Sequence, residues 1–240
     1  MKSTRAKAAR FVATHSILSL NARHPYVAKS LVDAHEMHRT VMSGFLGWVE
    51  DGDPAARAQM GVLSTWSVDL KEAVLVLVVQ SRVPGDWSRI PRKALTDKPH
   101  IITVDRTIRT GDVLGFRTVI NPVHSKPTGG PGPERTRGAR VAHTKPDHVK
   151  NWFLRRLQAE SEPATAEDGV VRIGATADPV NLAVRMLPTV SSPAPHKRLR
   201  IARAEIRGRL TVTDPDTLTQ VLSNGLGHAR AYGCGLVLTR

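Results

Sequence analysis

Cysteine and acidic residues are scarce in this sequence. Cys234 is the single cysteine among 240 residues, which excludes an internal disulfide and a zinc site built on cysteines. One cysteine also fits a reducing cytoplasm, where we expect the protein to be located. Acidic side chains number 21 against 35 lysines and arginines, so the formal net charge is +14. Such a surface attracts polyanions, and the composition favours a nucleic acid as partner.

Long apolar runs and nucleotide-binding motifs are also missing. No apolar run reaches the roughly 20 residues of a membrane-spanning helix, so no membrane partner is expected. The glycine-rich stretch GLGHARAYGCG at 225–235 is followed by no acidic residue and contains no Gly-Lys-Ser/Thr, which excludes both dinucleotide and Walker fingerprints. No small-molecule cofactor is therefore expected. Two interpretations of the stretch remain: a tight turn before the last strand, or a loop that faces a polyanion.

The order of predicted elements indicates an α+β protein made of two tandem ferredoxin-like βαββαβ units. The first unit has predicted strands at 11–20, 60–66, 73–80 and 113–120, a long helix at 29–49 and a short helix near Trp87. The second unit has predicted strands near 139–143, 181–187, 199–212 and 234–239, with helices at 147–159 and 216–223.

Composition between these units sets the predicted domain limits. Proline, glycine and arginine dominate 124–138, which is typical of a flexible basic linker or a long loop. We therefore expect four segments: a disordered basic arm at 1–10, a domain at 11–123, the linker at 124–138 and a domain at 139–240.

A basic hairpin is predicted between the middle strands of the second unit. Its tip is rich in proline, and its basic side chains are His196, Lys197, Arg198 and Arg200, with Arg185 on the facing strand. A solvated edge that charge protects from aggregation is one interpretation. An arm that binds nucleic acid is the other, and the scarcity of neighbouring acids favours it.

His35 and His38 are three residues apart on the first predicted helix and therefore share a face. The sequence His-Glu-Met-His lacks the His-Glu-x-x-His spacing of zinc proteases and has no third ligand cluster, so no metal site is predicted. A packed histidine pair is one interpretation. The other is acid–base chemistry on RNA, whose own 2′-OH is the nucleophile and whose cleavage needs a base, an acid and no metal.

Five stretches occur in an order that is informative together: AHEMHRTVMSGF, GDWS, GDVLGFRTVINPVHSK, KNWFLRRL and NGLGHARAYGCGL. The set resembles the CasE family, the CRISPR repeat-processing endoribonucleases of the type I-E Cascade complex. The resemblance implies two tandem ferredoxin-like domains with a basic cleft between them. It also implies metal-free cleavage of the CRISPR repeat hairpin at the 3′ base of its stem, leaving a 2′,3′-cyclic phosphate and a 5′-OH. The partners it implies are the repeat RNA and the other Cascade subunits.

The resemblance also implies roles for individual residues. The catalytic histidine of the family falls on His38, and His35 stands where members often have tyrosine. The hairpin and the glycine-rich loop are implied to bind RNA, through Arg39, Arg185, His196, Lys197, Arg198, Arg200, Gly225, Gly227, His228 and Arg230. The alternative is a non-catalytic protein that binds structured RNA in an assembly, but such a protein would not need two histidines on one helical face.

Overall fold

The computed structural model describes residues 7–48, 53, 55–125, 140–193 and 199–240. Part of the predicted arm, most of the predicted linker and three residues of the hairpin tip, His196, Lys197 and Arg198, lie outside the described residues. Within the described ranges, no helix has the length and apolar character needed to cross a bilayer.

The first sheet contains four antiparallel strands, β1 (Ala8–Asn21), β2 (Leu63–Asp69), β3 (Val74–Ser81) and β4 (His100–Arg109). They lie in the order β2-β3-β1-β4, which confirms the ferredoxin-like fold expected for the first unit. Helices α1 (Pro25–Val32) and α2 (Ala34–Met42) cover one face of this sheet, and α3 (Ala56–Gln59) precedes β2. Leu18 and Leu20 of β1 pack there against Met37 and Val41 of α2.

Asp33 divides the single helix that was predicted at 29–49. Its backbone is extended, its N–H donates to Lys29 O at 3.1 Å, and its carboxylate accepts from His35 N at 2.8 Å. It therefore ends α1 and begins α2, as a side chain that caps a helix N-terminus does.

The second sheet is formed by β5 (Val113–Ile120), β8 (Ala175–Thr176), β9 (Ala183–Ser191), β10 (Arg200–Val212) and β11 (Val237–Thr239). The order is β11-β5-β10, with β8 and β9 both on the far side of β10. Helices α4 (Pro146–Leu154) and α5 (Pro215–Asn224) pack on one face, and β6 (Val123–Ser125) pairs with β7 (Arg140–Ala142) outside the sheet.

Three sequence expectations change with this pairing. The strand predicted at 113–120 forms, but it pairs with β10 and β11 instead of completing the first sheet. Its place there is taken by β4, which was not predicted because Ile108 is its one buried residue. The weak strand near 139–143 also forms, but it pairs with β6. The pairing favours a division between the two units at 110–112 rather than at 124, and the domain limits stay a proposal.

The disordered arm predicted at 1–10 is wrong at its last three residues. Residues 8–10 belong to β1 and pair with the end of β4, where Arg10 forms an ion pair of 2.6 Å with Asp105. This pairing extends β1 because Phe11, the next residue along the strand, is buried and fixes the strand's register.

Helix α5 joins the two sheets into one packed body. Phe11 and Ala13 lie on the face of β1 opposite Leu18, and they share a core with Leu218 and Leu222 of α5. The buried Gln80 side chain of β3 donates to Leu222 O at 2.7 Å and lies 3.0 Å from His15 Nε2. The first sheet therefore packs α1 and α2 on one face and a helix of the second unit on the other.

Candidate active site between the two sheets

Helix α2 presents both predicted histidines to the second unit. Its buried side chains, which include Met37 and Val41, face the first sheet. His35 and His38 lie on another side of the helix and are half-buried there. Both imidazole rings are turned towards a single short turn at 230–232, which belongs to the second unit. Helical spacing predicted that the two histidines share one face of the helix, and this face contacts the second unit.

The glycine-rich stretch forms a closed loop that carries this turn. Gly225 has φ +77° where α5 ends, and its N–H donates to Val221 O at 2.8 Å. Leu226 N donates to Gly235 O at 2.8 Å, which closes the loop on itself. Gly233 has φ +75°, and a Cβ added there would lie 1.7 Å from Trp66 Cζ3. The loop is therefore the tight turn that one interpretation expected, and the Gly225 N–H is already used within the fold.

Tyr232, at the end of the turn, contacts the histidines and was missed by sequence reasoning. Its hydroxyl lies 3.4 Å from His35 Nδ1. Its ring centroid is 5.5 Å from that of His35 and 6.0 Å from that of His38. The one available signal was that the resemblance implies a tyrosine at the position that His35 occupies, so a phenol was to be expected elsewhere in the site.

Two arginines place positive charge beside the rings. Arg230 donates to Gly227 O at 3.0 Å and to Asn224 O at 2.8 Å, and Arg57 donates to Val62 O at 2.9 Å. Burial lowers the pKa of Arg57, and the charge of Arg230 lowers it further. These backbone contacts fix both guanidinium groups, so their charge is oriented before any anion binds.

His38 is held in its neutral form. Burial lowers the pKa of its imidazole most, and the positive charge of Arg57 lowers it further. A hydrogen bond with the Ala231 backbone acts in the opposite direction without reversing the shift. A neutral imidazole near pH 7 can accept a proton, so His38 can act as a general base.

His35 has a different hydrogen-bonding situation. Its Nδ1 faces Tyr232, while its Nε2 is buried and has no hydrogen-bond partner within the described part of the chain. Such an atom is costly to bury unless a ligand satisfies it. No group of three or more His, Cys, Asp or Glu that could hold a metal ion occurs among the residues the structure describes.

The other predicted site residues divide between the site and the second sheet. Arg39 is exposed on α2 and forms an ion pair with Glu36, and His228 is exposed in the glycine-rich loop. Gly227 packs against the Trp152 ring. Arg185 lies on β9 and Arg200 begins β10, both exposed and both on strands of the second sheet rather than beside the histidines.

Comparisons with known proteins place this geometry in a wider context. A family model described as CRISPR associated protein matches residues 15–240. A structure of Thermus thermophilus Cse3 bound to an RNA representing a pre-cleavage complex aligns with a TM-score of 0.64 and 21% identity, over 96% of this chain and 99% of that one. Escherichia coli Cas6e aligns with a TM-score of 0.59 and 18% identity, over 95% and 98%. A chain of a CRISPR RNA-guided surveillance complex aligns with a TM-score of 0.55 and 20% identity, over 93% and 98%. A search of curated proteins gave no match. These likenesses confirm the predicted fold.

Proposed function

The chain belongs to the CRISPR associated protein family, and from this premise we propose that it is a metal-independent endoribonuclease that processes CRISPR repeat transcripts. It cleaves at the 3′ base of the repeat stem-loop and releases mature CRISPR RNA. The observation that carries the proposal is the meeting of His35 and His38 with Tyr232, in which the buried Nε2 of His35 lacks a partner among the described residues.

The proposed reaction begins at the RNA's own 2′-OH. Neutral His38 takes the 2′-OH proton, and the 2′-oxygen forms a bond to the adjacent phosphorus. The bond from phosphorus to the 5′-oxygen breaks, and His35 gives a proton to that oxygen. The products are a 2′,3′-cyclic phosphate and a 5′-OH, and exchange of protons with water returns both histidines to their starting states.

Tyr232 and the two arginines have supporting roles in this scheme. The Tyr232 hydroxyl at His35 Nδ1 is proposed to hold the imidazole ring in one orientation. The resemblance to the CasE family implies a tyrosine at the position of His35, and here a phenol reaches the site from the second unit instead. The charge of Arg57 acts on His38 and that of Arg230 acts on Arg57, so we propose that these two fixed donors stabilise the negative charge of the phosphorane.

RNA binding extends beyond the reacting phosphate. The net charge of +14 and the exposed guanidinium of Arg39 support contact with the phosphates of the stem. The sequence-predicted hairpin, with its basic tip and Arg200, is proposed to bind the same stem. Because related chains include one bound to RNA and one in a surveillance complex, we propose that the protein stays on its product in the cytoplasm as a subunit of such a complex.

The test is cleavage of a repeat hairpin RNA in excess EDTA, read on a denaturing gel, with the end groups of the products identified. We expect cleavage with cyclic phosphate ends in the wild type. His38→Ala should lower the single-turnover rate by about 10²–10⁴ while hairpin affinity stays near normal. His100→Ala, which changes an exposed histidine on β4, is the matched control. Tight binding without any cleavage by the wild type would instead support the alternative, a non-catalytic protein that binds structured RNA.

A further inference from the structure

The second sheet carries an open groove on the face opposite α4 and α5. Ala204, Ile206 and Leu210 of β10 pack into the core with α5, so the alternate residues of that strand point to the opposite face. The groove there has a volume of about 1090 Å³. We call it the arginine groove; it is lined by Arg117, Arg207, Arg209 and Arg240, with Gly115 and Leu238 between them.

Positive charge in the arginine groove is only partly neutralised. Glu205, 2% exposed, is the carboxylate next to it, and it lies 2.6 Å from Arg117, 3.2 Å from Arg207 and 3.3 Å from Arg185. One carboxylate therefore forms ion pairs with three guanidinium groups. No acidic residue lines the groove within the described part of the chain.

Arg209 and Arg240 add two further charges that form no salt bridge with any described residue. Two acidic residues close in sequence to residues that line the groove are hydrogen-bonded to the backbone: Asp112 accepts from Arg109 N at 2.8 Å, and Asp178 accepts from Val180 N at 2.9 Å. The four arginines of the groove and the neighbouring Arg185 thus share one glutamate, Glu205, which leaves a strong local excess of positive charge.

The strand geometry spaces these arginines regularly. Arg207 and Arg209 are two residues apart on β10, so their Cα atoms are about 6.6 Å apart on one face. Arg117 stands directly opposite Arg207, and Gly115 stands opposite Arg209. Because Gly115 has no side chain, the floor of the groove is open backbone beneath the Arg240 stem. Guanidinium groups in such a row can bind successive phosphates, each with two parallel hydrogen bonds.

The groove also lies close to the candidate active site. Leu238 follows Tyr232 by six residues, so their Cα atoms can be at most about 20 Å apart. We propose that the arginine groove binds the phosphates of single-stranded RNA that flanks the hairpin, which makes it a second RNA-binding surface of the protein. This inference rests on the proposed function. Four of the residues that line the groove are arginines and none is acidic, and basic side chains clustered on one face are typical of a surface that binds nucleic acid, so RNA fits better than an acidic protein segment.

The experiment compares two RNAs, the hairpin alone and the hairpin with single-stranded extensions on both sides. Each has a 2′-deoxy nucleotide at the scissile position so that binding is measured without cleavage. The variant is Arg209→Gln with Arg240→Gln, which leaves the three partners of Glu205 intact. The control is Lys71→Gln with Lys93→Gln, two exposed lysines of the first unit, with the same loss of charge.

For the extended RNA, we expect the arginine variant to lower the slope of log affinity against log salt by about 0.7 for each lost contact, or about 1.4 in total. The hairpin alone should bind with an unchanged slope, and the control should behave as wild type with both RNAs. The proposal is overturned if the variant changes the two slopes equally, or neither. It is also overturned if the two arginines are needed to bind a polyglutamate peptide while the RNA slopes stay unchanged.

Cleavage of an all-ribose hairpin by the same variant separates this inference from the proposed function. We expect a normal rate, because neither substituted arginine lies beside the histidines. A wild-type protein that cleaves neither RNA, yet shows the predicted slope difference, would contradict the proposed nuclease activity and support the groove.

Discussion

Replacing Gly233 with alanine should damage both the fold and the site, and the structure gives the size of the effect. The residue has φ +75°, and left-handed backbone at a residue with a side chain costs about 1–2 kcal/mol. The new Cβ would lie 1.7 Å from Trp66 Cζ3 and 2.4 Å from two more ring atoms, so the chain must move. Overpacking of a buried contact adds about 1–3 kcal/mol. We expect the free energy of unfolding to fall by about 2–5 kcal/mol.

The same movement should reach the chemistry, because Tyr232 is the neighbouring residue and the Trp66 ring is 8% exposed and cannot swing into solvent. Equilibrium urea unfolding measures the loss of stability, and single-turnover cleavage measures the effect on the site. Gly47→Ala is the matched control: its φ is +86°, but an added Cβ there has nothing within 4 Å. In this control, the free energy of unfolding should fall only by the cost of the left-handed backbone, about 1–2 kcal/mol.

A second substitution isolates the contact with the ring. In Gly233→Ala with Trp66→Leu, the smaller side chain makes room, so the double variant should be more stable than the sum of the single effects predicts. If Gly233→Ala is no less stable than Gly47→Ala and cleaves at the wild-type rate, the loop does not position Tyr232 in the way described above.

Three further predictions concern the titrating groups. Arg57→Gln removes a charge that lowers the pKa of His38, so an NMR titration should show that pKa raised, with the rate limb that reports the base moved to higher pH. Tyr232→Phe keeps the ring but removes the hydroxyl at His35, and the single-turnover rate should fall about 2- to 10-fold, as for the loss of a hydrogen bond worth about 0.5–1.5 kcal/mol. Burial lowers the pKa of His15 in the folded protein, so the stability it contributes is complete above the unfolded value of about 6.5 and is lost as the pH falls through the folded pKa. His15→Gln should therefore reduce the dependence of unfolding free energy on pH below 6.5, by at most about 1.4 kcal/mol per pH unit.

Each of these has a result that counts against it. An unchanged His38 titration in Arg57→Gln would mean that burial and the charge of His35, and not Arg57, lower the pKa of His38. Equal rate losses in Tyr232→Phe and Tyr26→Phe, the second of which removes a hydroxyl packed against Thr40, would indicate a general packing effect. A pH dependence of stability that is the same with and without His15 would mean that other groups account for it.

The parts of the site that sequence could predict are those with local spacing. The shared face of His35 and His38 follows from their spacing of three residues on a helix, and the turn at the glycine-rich loop follows from residue type alone. The contact between His35 and Tyr232 joins residues 197 positions apart, and it depends on how two sheets pack. No periodicity within either segment carries that information.

The fold was predictable to the same extent. Strands β1 and β3 carry buried side chains at alternate positions over most of their length, and they and β10 were predicted close to their observed limits. Strand β4 has one buried residue and is held by its pairing with β1, so its own pattern resembles that of a loop. The break at Asp33 did have a local signal, because an aspartate followed by a helix is a common N-terminal cap.

The packing of α5 between the sheets has a consequence for when the protein becomes active. Phe11 and Ala13 find their apolar partners on a helix that is translated about 200 residues later, and the Gln80 amide finds its acceptor at Leu222. On the proposed mechanism, a nascent chain on the ribosome carries its two histidines long before Tyr232 has been synthesised. On that mechanism the full rate of cleavage is reached only after α5 has docked and the glycine-rich loop has closed, so an incomplete chain cuts the transcripts around it more slowly than the finished protein.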